Sequence, residues 1–299
     1  MSEILENNAK PFLKWAGGKT QILNEIRNYY IFNSEITKYV EPFIGGGAVL
    51  FDILNKYDLE EIYISDINAD LINVYSCIKE DVEELIIMLE SMEREFLKLD
   101  IEKRKEYYLL RRDEFNIIKF SYDEHAVKKS ALMIFLNKTC FNGLYRVNKS
   151  NKFNVPFGDY KNPKICDTVN LINISKKLKN VNIVCDDYKK SLDIIDKGTF
   201  VYIDPPYRPI SLTSSFTSYS KDSFDDKNQI ELSEFINEID KMGAKFLLSN
   251  SDPRNNNPKD NFFDDLYSNY NINRIFANRS INSKGNLRNK ITELLISNF

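Results

Sequence analysis

The sequence predicts an α/β protein: a Rossmann-like, mostly parallel sheet with an antiparallel C-terminal hairpin, plus an inserted helical region. Three observations carry this. Over residues 1–80, short apolar runs of strand length alternate with helix-length amphipathic segments, the grammar of βαβ units. From Asp81 to Lys138 the strand signals vanish, and patterns such as Val82-Leu85-Ile86-Leu89 and Ala131-Leu132-Phe135-Leu136 repeat at helical spacing. Finally, Ile272–Ala277 and Ile291–Ile296 have strand character with no helix between them, so they are expected to pair antiparallel at a sheet edge.

Taken in order, a Gly-Gly turn at Gly17 and Gly18 precedes a helix from Lys19 to Tyr30. A strand follows at Lys38–Glu41, a helix at Gly47–Tyr57, a strand at Glu61–Ser65 and a helix at Ala69–Ile78. The Gly/Asn/Pro-rich stretch from Cys140 to Pro163 is too polar and too punctuated for a core element. Strands then resume at Asn182–Cys185, Phe200–Ile203 and Ala244–Ser249. The expected organisation is one α/β domain, residues 1–80 and 176–299, interrupted by a basic helical insertion over 81–175.

With 42% apolar residues the chain can bury a real core. It contains neither an apolar stretch of signal-peptide length nor a span of ~18 uncharged apolar residues, so a soluble, intracellular protein is expected. The four cysteines are scattered without a C-x-x-C pair and His125 is the only histidine, which leaves little material for zinc or for a histidine-assisted nucleophile. Chemistry must then rest on carboxylates, amides and aromatics, or on a cofactor with its own reactivity. No metal is expected. The net charge of −3 conceals segregation: residues 101–190 hold 19 Lys/Arg against 10 Asp/Glu, so this stretch is +9 and the rest −12. Such a basic middle suits a polyanion, or is an ordinary solvated helical surface.

Three constellations can carry chemistry. In Tyr39–Phe51, "YVEPFIGGGAVLF", a strand runs into an acid-Pro-Phe turn and then three glycines that open a helix, so the backbone can pass close to a ligand. The spacing is neither G-x-G-x-x-G nor a P-loop. Asp66 lies about twenty residues further on, past the second strand, where a carboxylate suits the vicinal hydroxyls of a ribose. It could instead cap the following helix, a role open to Asn68 as well. In "PFLKWAGGKTQIL", Trp15 and Lys19 flank the Gly-Gly turn, suited to a zwitterionic amino-acid tail unless the tryptophan is plain core. The sharpest element is Asp204-Pro205-Pro206-Tyr207, which ends the buried run Thr199–Ile203. Prolines fix φ, so the Asp204 carboxylate and the Pro205 carbonyl are held outward as two acceptors for the protons of an exocyclic amine. Tyr207 offers a ring on which a base can stack.

These motifs, "PFLKWAGGK", "EPFIGGGAVLF" with Asp66 after it, and "DPPY", resemble in order and spacing those of the DNA adenine N6-methyltransferases of the Dam-like type. "FNGLYRVN" and "FNVPFGDYKNP" are similar to that family's target-recognition hairpin, and the resemblance covers the chain from Pro11 to its end. It implies S-adenosylmethionine as cofactor, with Trp15, Lys19, Phe43, Gly45, Asp66, Asp186 and Asp204 as its contacts. Asp187 competes with Asp186 for that place, and either could cap the next helix. It also implies that Asp204, Pro205, Pro206 and Tyr207 hold a flipped adenine for in-line attack by N6. On the DNA side it implies Phe141 and Asn142 at the gap left by the extruded base, and Lys14, Leu144, Arg146 and Pro156 reading the bases of GATC in double-stranded DNA. Arg146 can alternatively contact a phosphate, which positions without specifying. Asp159 departs from the flank-contacting arginine of some relatives. Arg279, Lys284, Arg288 and Lys290 are expected on the final hairpin loop, suited to phosphates. The resemblance further implies a monomeric cytoplasmic enzyme of bacterial or phage type, nucleoid-associated, with a cognate restriction endonuclease as a genetic rather than physical partner. Transfer to cytosine N4 or to an RNA adenine, or a DNA-binding relative that has lost transfer, are the competing readings.

Overall fold

The computed structural model describes residues 8–121, 125–208, 224–277 and 291–299. Its strands are β1 (Lys38–Glu41), β2 (Glu61–Asp66), β3 (Val181–Cys185), β4 (Thr199–Ile203), β5 (Lys245–Ser251), β6 (Asn271–Ala277) and β7 (Ile291–Ser297). They form a seven-stranded sheet in the order β3-β2-β1-β4-β5-β7-β6. β1 pairs in parallel with β2 and β4, and β2–β3 and β4–β5 extend the parallel part. β7 runs antiparallel to both β5 and β6, so the C-terminal hairpin closes one edge as the two apolar runs predict.

The chain builds outward from β1 through β2 to β3, then returns to the other side of β1 to lay down β4 and β5. The carboxyl ends of β1 and β4 therefore flank a topological switch point, where open α/β sheets bind ligands. All five residues of β4 are buried, as expected of a central strand covered on both faces.

The helices are α1 (Leu23–Arg27), α2 (Ala48–Lys56), α3 (Ala69–Glu80), α4 (Val82–Leu97), α5 (Ile101–Ile118), α6 (Ala126–Thr139), α7 (Thr168–Leu178), α8 (Asp226–Lys241) and α9 (Phe262–Leu266). One apolar cluster joins α2, α3 and α7 to α4–α6 through Leu50, Leu71, Leu89, Phe135 and Leu171, while a second packs α8 and α9 on the sheet through Leu232, Ile236 and Phe263. Every residue from Ser130 to Leu136 is buried, so α6 is a central helix enclosed by α3, α4 and α5 rather than an amphipathic surface one.

The segment expected as one helix from Lys19 to Tyr30 is shorter and broken. A 3-10 turn at Lys19–Gln21 precedes α1, and Ile22 between them leaves helical geometry at φ −108°, ψ 9°. The interruption accompanies a Lys19 side chain that is turned inward and buried. In the polar stretch after α6, isolated bridges Cys140–Phe157 and Val147–Phe153 make an antiparallel hairpin. Buried Phe153 and Val155 anchor it. Asn116 of α5 bonds both ways with the Phe153 backbone at 2.7 and 2.9 Å, and the Tyr108 hydroxyl donates to the Val155 carbonyl at 2.7 Å.

Candidate active site

Four carboxylates line up along the carboxyl ends of adjacent strands: Asp186 after β3, Asp66 on β2, Glu41 on β1 and Asp204 after β4. The ends of β2 and β3 are in register, Asp66 opposite Cys185. Asp66 accepts from the Gly45 N–H at 3.1 Å and from the Asn68 N–H at 2.9 Å. Asn68 itself caps α3 by accepting from the Leu71 N–H, so capping is not the role of Asp66. Burial pushes the Asp66 carboxyl above its ordinary value against those backbone donors. Ile67, next in the chain, is 77% exposed, an apolar side chain beside that carboxylate. Of the two acids after β3, Asp187 caps the following 3-10 turn by accepting from the Lys189 N–H, which leaves Asp186 as the non-capping one.

The glycine turn explains itself through Trp15. A Cβ on Gly45 would lie 2.9 Å from the Trp15 ring, and one on Gly46 3.0 Å from the Trp15 Cβ, so only glycine lets the indole seat against this loop. The indole also stacks on Tyr145 with centroids 5.4 Å apart. Phe43, just before the glycines, stacks on Tyr188 at 5.1 Å.

At the switch point the buried Lys19 ammonium bonds the Asp204 carboxylate at 2.7 Å and the Gly17 carbonyl at 2.7 Å, and sits 4.7 Å from the centre of the Tyr207 ring. Burial works against the ammonium, but Asp204 and Tyr207 outweigh it and hold the lysine above its usual value. Burial likewise raises Asp204, and Lys19 only partly offsets it, so this carboxyl stands at about 6. It is ionised at neutral pH yet poorly solvated, which makes it a strong acceptor. Burial pushes neighbouring Glu41 well above the carboxylate range although it accepts from the Tyr39 hydroxyl at 2.7 Å.

The rest of the tetrad is braced from behind. Gln229 donates to the Pro206 carbonyl at 3.2 Å and accepts from Asn250 at 3.1 Å; both amides are fully buried. The Tyr207 hydroxyl donates to Glu293 of β7 at 2.9 Å. Arg208 is clamped between Asp226 and Asp260 and lies 4.3 Å over Phe262. The extension of this loop, 209–223, and the basic hairpin tip carrying Arg279, Lys284, Arg288 and Lys290 lie outside the described residues.

On the hairpin, Phe141 and Asn142 are exposed in a 3-10 turn, Asn142 with φ 58°. The Phe141 N–H donates to the carbonyl of exposed Pro156 at 2.8 Å, which brings those side chains to one end of the hairpin. Arg146 is half-buried and held by Asn154, whose side-chain oxygen lies 2.7 Å from Nε and whose carbonyl lies 3.1 Å from the guanidinium. Lys14 is exposed, 5.3 Å from the Tyr160 ring centre. Leu144 is half-buried, and Asp159 is exposed with φ 47°. Asn137 of α6, buried, bonds the Lys14 N–H, the Lys14 carbonyl and the Gly143 carbonyl, each at 2.9 Å, and so ties the Trp15 segment to the hairpin.

Sequence reasoning missed Glu293, Gln229, Asn250, Asn137 and Tyr145. Each acts through a partner distant in sequence, and none falls in a motif singled out above except Tyr145, whose position in the hairpin motif gives no hint of the Trp15 contact. Among the described residues no group of His, Cys, Asp or Glu is placed to hold a metal, and no helix is long and apolar enough to cross a membrane.

Comparison with known proteins agrees with this geometry. The family described as D12 class N6 adenine-specific DNA methyltransferase matches residues 15–281. The chain is 53% identical over 294 residues to the Type II methyltransferase M.MjaIII of Methanocaldococcus jannaschii, covering 97% of this chain and 99% of that one. It is 34% identical over 287 residues to a DNA adenine methylase of Vibrio cholerae, covering 96% and 95%, and 32% identical over 286 residues to that of Escherichia coli, covering 96% and 94%. An acid-ended parallel sheet with a braced Asp-Pro-Pro-Tyr turn at its switch point, matched by that family over most of its length, places the chain among the D12 class N6 adenine-specific DNA methyltransferases.

Proposed function

We propose that this enzyme methylates N6 of the adenine in GATC, in double-stranded DNA, on a base flipped from the helix, with S-adenosylmethionine as donor. The observation that carries the reading is the half-buried Asp204 carboxylate at the switch point, fixed by the buried Lys19 ammonium that also lies over the Tyr207 ring. Asp204 and the Pro205 carbonyl accept the two protons of the amino group, which turns its lone pair out of conjugation. Tyr207, tethered by Glu293, supplies the stacking face.

The residues present fit the donor: the Asp66 carboxylate for ribose hydroxyls, exposed Ile67 and Asp186 for an adenine, and Trp15 with the glycine turn for the methionine part. When bound, S-adenosylmethionine supplies a methyl group on a sulfonium that leaves as a neutral thioether. Transfer to N6 would leave that nitrogen with one proton to shed, and Asp204 is the adjacent acceptor for it. This chain's part is orientation and electrostatics.

Residues 1–80 and 176–299 are read as the catalytic part and 81–175 as the target-recognition part. Phe141 and Asn142 would occupy the gap left by the extruded adenine. Lys14, Leu144, Arg146 and Pro156 would read the flanking bases, arginine suiting guanine O6 and N7 and apolar carbon the thymine methyl. The enzyme is read as a cytoplasmic monomer whose cognate endonuclease, where one exists, is a genetic partner.

Expression of the chain in a host lacking adenine methylation tests this. Its DNA should resist an endonuclease blocked by N6-methyladenine in GATC, and base-resolved sequencing should find the mark there alone. Sensitive DNA from cells with confirmed soluble enzyme overturns the GATC assignment, and methyl on cytosine or RNA overturns the target base.

A further inference from the structure

Tyr145 belongs to the hairpin by sequence but to the cofactor side by contact. Its ring stacks on Trp15, centroids 5.4 Å apart and planes 26° apart. Its hydroxyl donates to Asp70 at 2.5 Å, in the first turn of the helix that follows Asp66. Asp70 in turn forms a buried ion pair with Lys119 of α5 at 2.8 Å, both side chains under a tenth exposed. The Lys119 ammonium also lies 3.4 Å from the Asn151 side-chain oxygen at the hairpin's far turn, where Asn151 takes the left-handed φ of 56°. A displacement of the hairpin at Tyr145 would therefore either carry Trp15 with it or shear an aromatic stack and strip a hydroxyl from a buried carboxylate. The Trp15 side chain also lies against Gly45 and Gly46, so a motion of the indole reaches the glycine turn.

We infer that Tyr145 is a positioning residue that couples the hairpin's grip on DNA to the shape of the methyl-donor pocket through Trp15, with the Asp70–Lys119 pair as its fixed post. The inference rests on the functional reading above, in which the hairpin meets DNA and Trp15 meets the donor. Couplings of this kind change affinity about 5–150-fold, and they are reciprocal: duplex tightens donor binding by the factor by which donor tightens duplex binding.

Trp15 is the chain's only tryptophan, so its fluorescence reports on this stack without interference. Titrate the full chain with S-adenosylmethionine, with and without a saturating GATC duplex, following Trp15 emission and measuring affinity by calorimetry. In the unsubstituted enzyme, duplex alone should shift the emission and tighten donor binding. Tyr145→Leu should abolish the duplex-induced shift and reduce the ratio of the two donor affinities to near one, while duplex affinity falls less than threefold. Tyr145→Phe, which keeps the stack and drops the hydroxyl, should show a reduced ratio with duplex-free donor affinity within twofold. If Tyr145→Leu does not fold, the Tyr145→Phe ratio decides alone. An unchanged emission response and an unchanged ratio in a folded variant overturn the coupling, as does an unsubstituted enzyme that binds both ligands with a ratio of one. An unsubstituted enzyme that binds no S-adenosylmethionine overturns instead the functional reading on which the coupling stands.

Discussion

The Asp204–Tyr207 turn and the Phe141–Pro156 hairpin are both irregular segments, yet they are held in opposite ways. In the turn, the groups that would meet substrate are gripped: Asp204 by Lys19, the Pro206 carbonyl by Gln229 and Tyr207 by Glu293. In the hairpin, the backbone is welded to α5 and α6 through Asn116, Tyr108 and Asn137, while the side chains of Phe141, Asn142 and Pro156 stand exposed at its open end. On the proposed reading, the difference follows from what each would do. Stabilising developing charge requires acceptors already aimed, because reorientation during reaction raises the barrier. Reading a groove requires side chains still free to find partners, on a backbone whose ordering has been completed in advance.

Breaking the gripped region should have the largest effect. Asp204→Ala should lower methyl transfer by at least about 10²–10³-fold, with duplex affinity in a gel-shift assay little changed; retained turnover would show that the amine is not held there. The pH dependence sharpens the same point. On the proposed reading Asp204 accepts from the amine as a carboxylate, and burial, partly offset by Lys19, sets its carboxyl at about 6, so activity in the enzyme should fall as pH drops through that value. Removing the lysine charge with Lys19→Met leaves burial unopposed and should carry that acid limb upward by about 1–3 pH units. A limb that stays in place would mean another group is being titrated.

The open region should give smaller and more selective losses. Arg146→Ala should cost about 1–3 kcal/mol of discrimination at one guanine, read from competition among single-base variants of the site. A uniform loss across sequences, with a shallower salt dependence, would mark a phosphate contact. Because Asn154 steadies that guanidinium from two atoms, Asn154→Ala should reproduce the pattern at lower amplitude. The smallest effect tests the brace. Glu293→Ala should slow transfer by about twofold to fivefold, the lower part of the net worth of one hydrogen bond, because the tether acts only through Tyr207, and Glu293→Gln should recover most of it. Equal loss in both variants would point to the charge rather than the tether.

The strands, the glycine turn and the tetrad were legible because each rests on a local pattern: apolar runs of strand length, glycines where a backbone passes close to another group, prolines that fix an acid; that the group beside the glycines is the Trp15 side chain only the structure shows. The braces were not. Tyr207 and Glu293 are 86 residues apart, Tyr145 and Asp70 are 75 apart, and no local rule distinguishes Glu293 from any other acid in an edge hairpin. Periodicity also extended the Lys19 helix too far, because it takes no account of a lysine drawn inward by a carboxylate from another strand. Asp66 and Asp186 were separated from their capping rivals only by seeing Asn68 and Asp187 accept the helix N–H groups.

The placement of β7 between β5 and β6 has a kinetic corollary. This strand can pair locally with β6 as a hairpin, but its pairing with β5 joins residues 42 to 50 apart in the chain, and Glu293 reaches the turn only when that pairing forms. Pairings so remote along the backbone form late. A folding or partly frayed molecule can therefore possess the acid and both prolines while its tyrosine still swings free, and methylation competence should lag behind the acquisition of secondary structure.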